Sequence, residues 1–292
     1  MNNTNTHIKD VKNIKNVIVF GSNGMLGKYI SIYLSQKNFH VINITRNNFD
    51  ILLSNNILND LENLLLTYNI NKDYVVINCI GLIPQTQNYN PLHYFTINSI
   101  FPYHLSQLSI KYNFKLIHPT TDCVFSGHKG LYNESDLKNE TSIYGLSKIL
   151  GENIPNTTII RTSIIGQQLH NNYSLLQWLL SNKNKTVNGY TNHLWNGITC
   201  LQFAKIIEYI INYNTFWIGI KHVFSNEIVS KYQLLQLINN TYNLNITIKP
   251  IQTTKPVNKS LTTIHTSHNF QNIIPSLQKQ LQELYDFQSY LV

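Results

Sequence analysis

NVIVFGSNGMLG, running from Asn16 to Gly27, is the stretch on which the fold turns. Its first five residues form an apolar run that breaks at Gly21. Apolar positions then recur at Met25, Leu26, Tyr29, Ile30 and Leu34, the spacing of one helix face. Strand, tight turn and helix follow from that change of period. Glycines at 21, 24 and 27 let the chain turn sharply, let backbone approach a pyrophosphate, and aim a helix N-terminus at its charge. A glycine triplet alone also occurs in ordinary strand-to-helix turns. Its place between an apolar strand and a helix, close to the start of the chain, is what points to a dinucleotide.

The same alternation continues outward. Apolar or β-rich runs at His40 to Ile44, Tyr74 to Ile80, Phe114 to His118 and Thr157 to Thr162 read as strands, and helical patterns cover Ile57 to Tyr68, Pro91 to Tyr112 and Ser142 to Asn153. Strands without a clean two-residue alternation are buried on both faces. The expectation is an α/β fold, a doubly wound parallel Rossmann sheet whose ligand chemistry gathers at the carboxyl ends of the strands. After Gly166 the pattern loosens into a helix at Asn172 to Ser181, a helix at Leu201 to Asn212, a strand at Ile218 to Phe224 and a polar linker around Thr253 to Ser260. The organisation predicted is a flexible tail (1–15), an NADP-binding Rossmann domain (16–165) and a smaller, partly interleaved α/β substrate domain (166–292). Within the last, 201–224 returns to the main sheet.

At 292 residues the chain closes a core without staples. Three scattered cysteines, Cys79, Cys123 and Cys200, form neither a disulfide framework nor a metal spacing, so no metal is expected and a reducing compartment is. The first fifteen residues lack the apolar stretch of a signal peptide, and no segment reaches the length of a membrane span. A cytoplasmic protein with no membrane partner is the expectation. Lys and Arg number 22 against 14 Asp and Glu, but the lysines are scattered, which speaks against nucleic acid and suits a small anionic ligand. There is one alanine, Ala204, and only two arginines, Arg46 and Arg161, the mark of an AT-rich genome.

One of those arginines falls just past the second strand, about twenty residues beyond the glycine turn, where a carboxylate would otherwise hold the adenosine ribose. A planar guanidinium there suits a 2′-phosphate, so NADPH is expected ahead of NADH; the alternative is a solvated charge at a strand end. Tyr144 and Lys148 stand one helical turn apart on one face. The ammonium is expected to lower the phenol's pKa so that it passes a proton to a carbonyl oxygen. Thr121, at the end of the fourth strand, offers a hydroxyl to the same oxygen, or else a turn that caps the strand. The order of glycine turn, strand-end hydroxyl and Tyr-x-x-x-Lys is far more specific than any one part.

With those residues in place the chain resembles the extended short-chain dehydrogenase/reductases, and within them the dTDP-4-dehydrorhamnose reductase group. The carrying segments are GSNGMLG (Gly21 to Gly27), INCIG (Ile77 to Gly81), TTDCVFSGHKGLYNESD (Thr120 to Asp136), SIYGLSKILGE (Ser142 to Glu152) and IIRTSIIG (Ile159 to Gly166). The resemblance implies a catalytic set of Thr121, Tyr144 and Lys148. It implies a cofactor site of Gly21, Asn23, Gly24, Met25, Leu26, Arg46, Cys79, Ile80 and Gly81 with Tyr144 and Lys148, and a substrate side of Thr121, Asp122, Cys123, Ile164 and Asn172. The partner implied is a nucleotide-diphosphate sugar, and the protein is a monomer or homodimer.

Two residues depart from the group. Cys123 stands where the group has tyrosine, at the place where reductases that are also 3,5-epimerases carry a catalytic cysteine. The helix near Asn172 offers no His or Lys to reprotonate the opposite face; His170, Lys183 and Lys185 lie out of register. Ile164 replaces the usual tryptophan. Three readings stay open: an NADPH-dependent reductase acting on a dTDP-linked or UDP-N-acetyl 4-keto-6-deoxy sugar, a bifunctional 3,5-epimerase/4-reductase making a sugar such as UDP-L-rhamnose, and a non-catalytic NADP-binding regulatory subunit.

Overall fold

The computed structural model describes residues 14–85, 89–168, 174–265 and 270–291. The first half alternates β1 (Asn16–Phe20), α1 (Met25–Gln36), β2 (His40–Ile44), α2 (Ile57–Thr67), β3 (Tyr74–Asn78), α3 (Pro91–Phe95), a π-helical turn (Thr96–Ile100), α4 (Phe101–Tyr112), β4 (Lys115–Thr121), α5 (Ile143–Gly151) and β5 (Thr157–Thr162). Then come β6 (Ile164–Ile165), α6 (Leu175–Leu180), β7 (Thr186–Tyr190), β8 (His193–Trp195), β9 (Ile198–Thr199), α7 (Cys200–Asn212), β10 (Gly219–His222), β11 (Val229–Ser230), α8 (Lys231–Tyr242), β12 (Thr247–Ile251), β13 (Val257–Asn258) and α9 (Leu277–Asp286).

The central sheet is six-stranded and wholly parallel, in the order β2-β1-β3-β4-β5-β10. It is a doubly wound α/β sheet, and its order reverses between β1 and β3, where a crevice opens at the carboxyl ends. Burial on both faces explains the unalternating runs. Val17 and Val19 of β1 join a core with α1, α7 and α9, while Ile18 and Phe20 join a second core with α2 and α4. Each side chain is apolar because neither face meets water. The strand expected at Ile218 to Phe224 is β10, which pairs with β5 at the sheet edge.

Three expectations need correction. The single helix read over Pro91 to Tyr112 is broken by the π-turn. Pro102 has no N–H to close on the carbonyl of Asn98, four residues back, and the turn widens there. The helix read from Asn172 is α6, starting at Leu175 behind a Ser174 cap; Asn172 and His170 lie outside the described residues. The polar linker around Thr253 to Ser260 contains β13, which pairs with β8, and Asn258 N donates to the carbonyl of Gly127 at 2.7 Å. Of the tail read over 1–15, residues 1–13 lie outside the described residues. No helix among the described residues is long and apolar enough to cross a membrane, and no group of His, Cys, Asp and Glu there is placed to hold a metal ion.

Candidate active site

The glycine turn is built by close approach. Gly21 has φ +72°, a left-handed conformation that costs glycine nothing, and a side chain at Gly27 would put its Cβ 2.2 Å from the Gly21 carbonyl oxygen. Helix α1 therefore starts hard against the end of β1. Its first turn carries no acidic residue, and the Ser22 hydroxyl is buried without a hydrogen-bond partner in the protein. A cavity of about 310 Å³ opens here, lined by Gly21, Asn23, Gly24, Arg46 and the segment Cys79 to Gly81. Arg46 is 70% exposed, its Nη2 3.3 Å from the Tyr89 hydroxyl and its Nε 4.0 Å from Asp50.

A second cavity, also about 310 Å³, shares Cys79, Ile80 and Gly81 with the first and adds Met25, Leu26, Thr121, Asp122, Cys123, Tyr144, Lys148 and Ile164. Every candidate residue within the described segments thus lies on one of two adjoining hollows at the strands' carboxyl ends. Asn172 is the exception, outside those segments.

Tyr144 and Lys148 ride on α5, whose start is set by the Ser142 side chain accepting from Gly145 N at 3.1 Å. The Tyr144 hydroxyl shares a hydrogen bond with Thr121. Thr121 Oγ1 also accepts from Cys123 N at 3.1 Å and lies 3.2 Å from Asp122 Oδ1. The expected fall in the phenol's pKa is not what the structure shows: burial pushes Tyr144 above the ordinary phenol range, and the Cys123 thiol adds to it. Lys148 is itself buried and pulled down to about 8, with Glu152 and Cys123 opposing the fall. Gly81 leaves the room it needs, the Nζ lying 3.0 Å from where a Cβ would sit. Burial, with Asp122 beside it, raises the Cys123 thiol to about 11.

Several residues that sequence reasoning passed over hold this arrangement. Asn98, on the π-turn, accepts from Leu82 N at 2.9 Å and donates to Leu82 O and Ser147 Oγ, both at 3.0 Å. It ties the loop after β3 to the helix that carries Lys148. Gly151 makes that contact close, since a Cβ there would fall 1.9 Å from the Asn98 carbonyl. Pro102, eleven residues after the start of an apparent helix, was the available signal.

Behind the site, Arg161 is fully buried. Its Nε and Nη2 donate to the two oxygens of Glu152 at 2.9 and 2.6 Å, and Thr120 Oγ1 donates to the same carboxylate at 2.9 Å. Arg161 Nη1 lies 2.7 Å from Nε2 of His222, whose Nδ1 is 2.7 Å from the Thr262 carbonyl. Burial and Arg161 pull His222 down to about 4, so the neutral ring donates from Nδ1 and accepts on Nε2. The ring of Phe125 lies 5.0 Å beneath the guanidinium.

The RmlD substrate binding domain family matches residues 15–289. The chain belongs to that family. As such it is an oxidoreductase of the extended short-chain dehydrogenase/reductase type. A dTDP-4-dehydrorhamnose reductase of Aggregatibacter actinomycetemcomitans is 24% identical over 229 residues, covering 74% of this RmlD-family chain and 75% of that protein. The spore coat polysaccharide biosynthesis protein SpsK of Bacillus subtilis is 25% identical over 252 residues, 84% of this chain and 85% of that one. In structure, a dTDP-4-dehydrorhamnose reductase from Bacillus anthracis, solved in complex with NADP, superposes with a TM-score of 0.77 at 20% identity, covering 93% of this chain and 99% of that one. At that identity the RmlD-family fold is what the likeness establishes.

Proposed function

We propose that the chain reduces the C4 ketone of a nucleotide-linked 4-keto-6-deoxyhexose with NADPH. The observation that carries this reading is the shared wall of the two hollows: the glycine turn and Arg46 on one side of Cys79 to Gly81, and Thr121, Tyr144 and Lys148 on the other. The first hollow suits a dinucleotide. It has the close-approach glycines, an α1 start free of acid, the buried Ser22 hydroxyl in want of a partner, and a guanidinium at the ribose end.

When bound, NADPH supplies the hydride. Tyr144 gives its proton to the C4 oxygen, and its raised pKa keeps that proton in place until charge develops on the ketone. Thr121 donates a hydrogen bond to the same oxygen. Lys148 holds the ribose hydroxyls and remains an ammonium below about pH 8. Cys123, a thiol at neutral pH, is a poor base, which favours a reductase without epimerase activity. A regulatory subunit would have no need of all three polar groups around one hollow.

Purified protein mixed with NADPH and a panel of dTDP-linked and UDP-N-acetyl 4-keto-6-deoxy sugars tests the reading. Loss of nicotinamide absorbance with formation of a C4 alcohol is expected for at least one of them. Tyr144→Phe should lower turnover by about 10² or more while leaving NADPH affinity intact. No oxidation with any of the sugars, from protein that binds NADPH, sinks it.

A further inference from the structure

Thr121 has one proton and is asked to serve too many partners. A hydroxyl donates once and accepts twice. One acceptor direction is taken by Cys123 N, Asp122 Oδ1 stands 3.2 Å away on another side, and the Tyr144 hydroxyl, which shares a hydrogen bond with Thr121, turns to the C4 oxygen when the ketone is bound. If Asp122 is a carboxylate it accepts only, so the 3.2 Å contact is a hydrogen bond only when Thr121 spends its single proton on it. Nothing is then left for the substrate oxygen.

We propose that Asp122 is a positioning residue that works as a neutral acid: it donates to Thr121 Oγ1 and so turns the Thr121 proton toward the C4 oxygen. This rests on the reading that the C4 ketone lies at Thr121 and Tyr144. The Asp122 proton stays on Asp122 throughout; only the direction of two hydrogen bonds changes. With it, Thr121 and Tyr144 both donate to the oxygen as negative charge grows there. Without it, Tyr144 donates alone.

The surroundings support the neutral form. Asp122 is only 5% exposed, and burial pushes its carboxyl above the usual carboxylate range. The groups facing it are Thr121 on β4, Tyr144 on α5, Cys123 beside it, Ser163 between β5 and β6, Lys231 at the start of α8 and Lys259 after β13. The two ammoniums and the hydrogen bonds from Thr121 and Ser163 oppose burial without reversing it, and each ammonium has another neighbour. Lys259 Nζ is 3.6 Å from Glu140, and Lys231 Nζ sits 5.4 Å over the Trp195 ring, whose indole donates to Ser163 at 2.8 Å. Neither lysine closes a hydrogen-bonded ion pair on Asp122 among the described contacts.

Infrared difference spectra of the NADPH-loaded enzyme, wild type minus Asp122→Asn, decide the point. A carboxylic C=O stretch belonging to Asp122 is expected, fading as pH rises. In steady-state kinetics the wild-type kcat should carry a fall over the pH range in which that band fades, distinct from the decline expected from Lys148 near pH 8. Asp122→Asn, whose amide donates at every pH, should lose the fall that tracks the band and keep the one from Lys148; the readout is the shape of the profile, not its height. Lys231→Met removes a cation that favours the carboxylate, so it should move band and fall together to higher pH, and it serves if the Asp122 variant does not fold. A carboxylate signature throughout, or a profile of unchanged shape in Asp122→Asn, overturns the proposal. Failure to reduce any keto sugar would instead sink the proposed function, with the infrared result still deciding the state of Asp122.

Discussion

Replacing Glu152 by leucine strands a guanidinium. Arg161 has no exposed surface, and Glu152 supplies both of its carboxylate contacts. His222 Nε2 is a neutral acceptor and offers no charge in exchange. Breaking a buried ion pair from one side typically costs about 3–5 kcal/mol, much more than an exposed pair is worth. At about 2 °C per kcal/mol for a chain of this size, Glu152→Leu should melt roughly 6–10 °C lower. Removing both charges is a different matter. In Glu152→Leu/Arg161→Met no charge is left buried; Lys138, 3.4 Å from Glu152 and 30% exposed, can turn to water. What remains is a lost partner for the Thr120 hydroxyl and for His222, about 1 kcal/mol each. The double variant should therefore be more stable than Glu152→Leu by about 2 kcal/mol. Urea unfolding of the wild type, both single variants and the double, followed by circular dichroism, measures the coupling. Costs that simply add would show that the pair contributes no mutual stabilisation and refute the reasoning.

Arg46→Ala should weaken NADPH binding roughly tenfold, about 1.5 kcal/mol, and leave NADH almost unchanged, with the difference shrinking in high salt because the side chain is exposed. Equal losses in titrations of both cofactors would make Arg46 structural. A 4-keto sugar incubated in D₂O without NADPH should acquire no inverted C3 or C5 centre, given a thiol at about 11 in Cys123; NMR showing inversion that disappears in Cys123→Ser would overturn this. Burial holds His118 down to about 3 and His222 to about 4, below the ordinary histidine value. Their contribution is therefore full above about pH 6.5 and is lost as pH falls, because the unfolded chain takes up protons that the folded one refuses. Between pH 6 and 5, His222→Gln should reduce the dependence of unfolding free energy on pH by about 1.2 kcal/mol per pH unit. An unchanged slope would mean that His222 is charged in the fold.

The strands and the glycine turn were legible because burial on both faces writes itself as an unbroken apolar run, and because a left-handed turn needs glycine at Gly21. Tyr144 and Lys148 were singled out by helical spacing together with the glycine turn and the strand-end hydroxyl that precede them. What could not be read was the sign of the phenol's shift: spacing shows the ammonium, while burial, the larger effect, is a property of the assembled fold. Asn98 was hidden by the π-turn, which shifts helical register, though Pro102 marked the place. Lys231 and Lys259 come to Asp122 from the start of α8 and from the stretch read as a polar linker, and nothing local ties them to Thr121. Arg161 stood out as one of two arginines, yet its partners Glu152 and His222 are set by the sheet and not by the spacing of residues.

That β10 closes the sheet beside β5 has a consequence for how the chain is made. Thr158 Oγ1 donates to the carbonyl of Trp217, 59 residues on, and Arg161 waits for His222, 61 residues on. At about 5–20 residues per second, a ribosome leaves the nascent β5 with an open edge and its arginine half-solvated for about 3–12 seconds. During that interval a hydrophobic strand edge is available to any other unfinished chain nearby. Truncation after β5, which looks on paper like the end of a cofactor domain, makes the interval permanent. Chains truncated near residue 165 should collect in inclusion bodies, whereas those extending through β10 retain the strand that seals the edge.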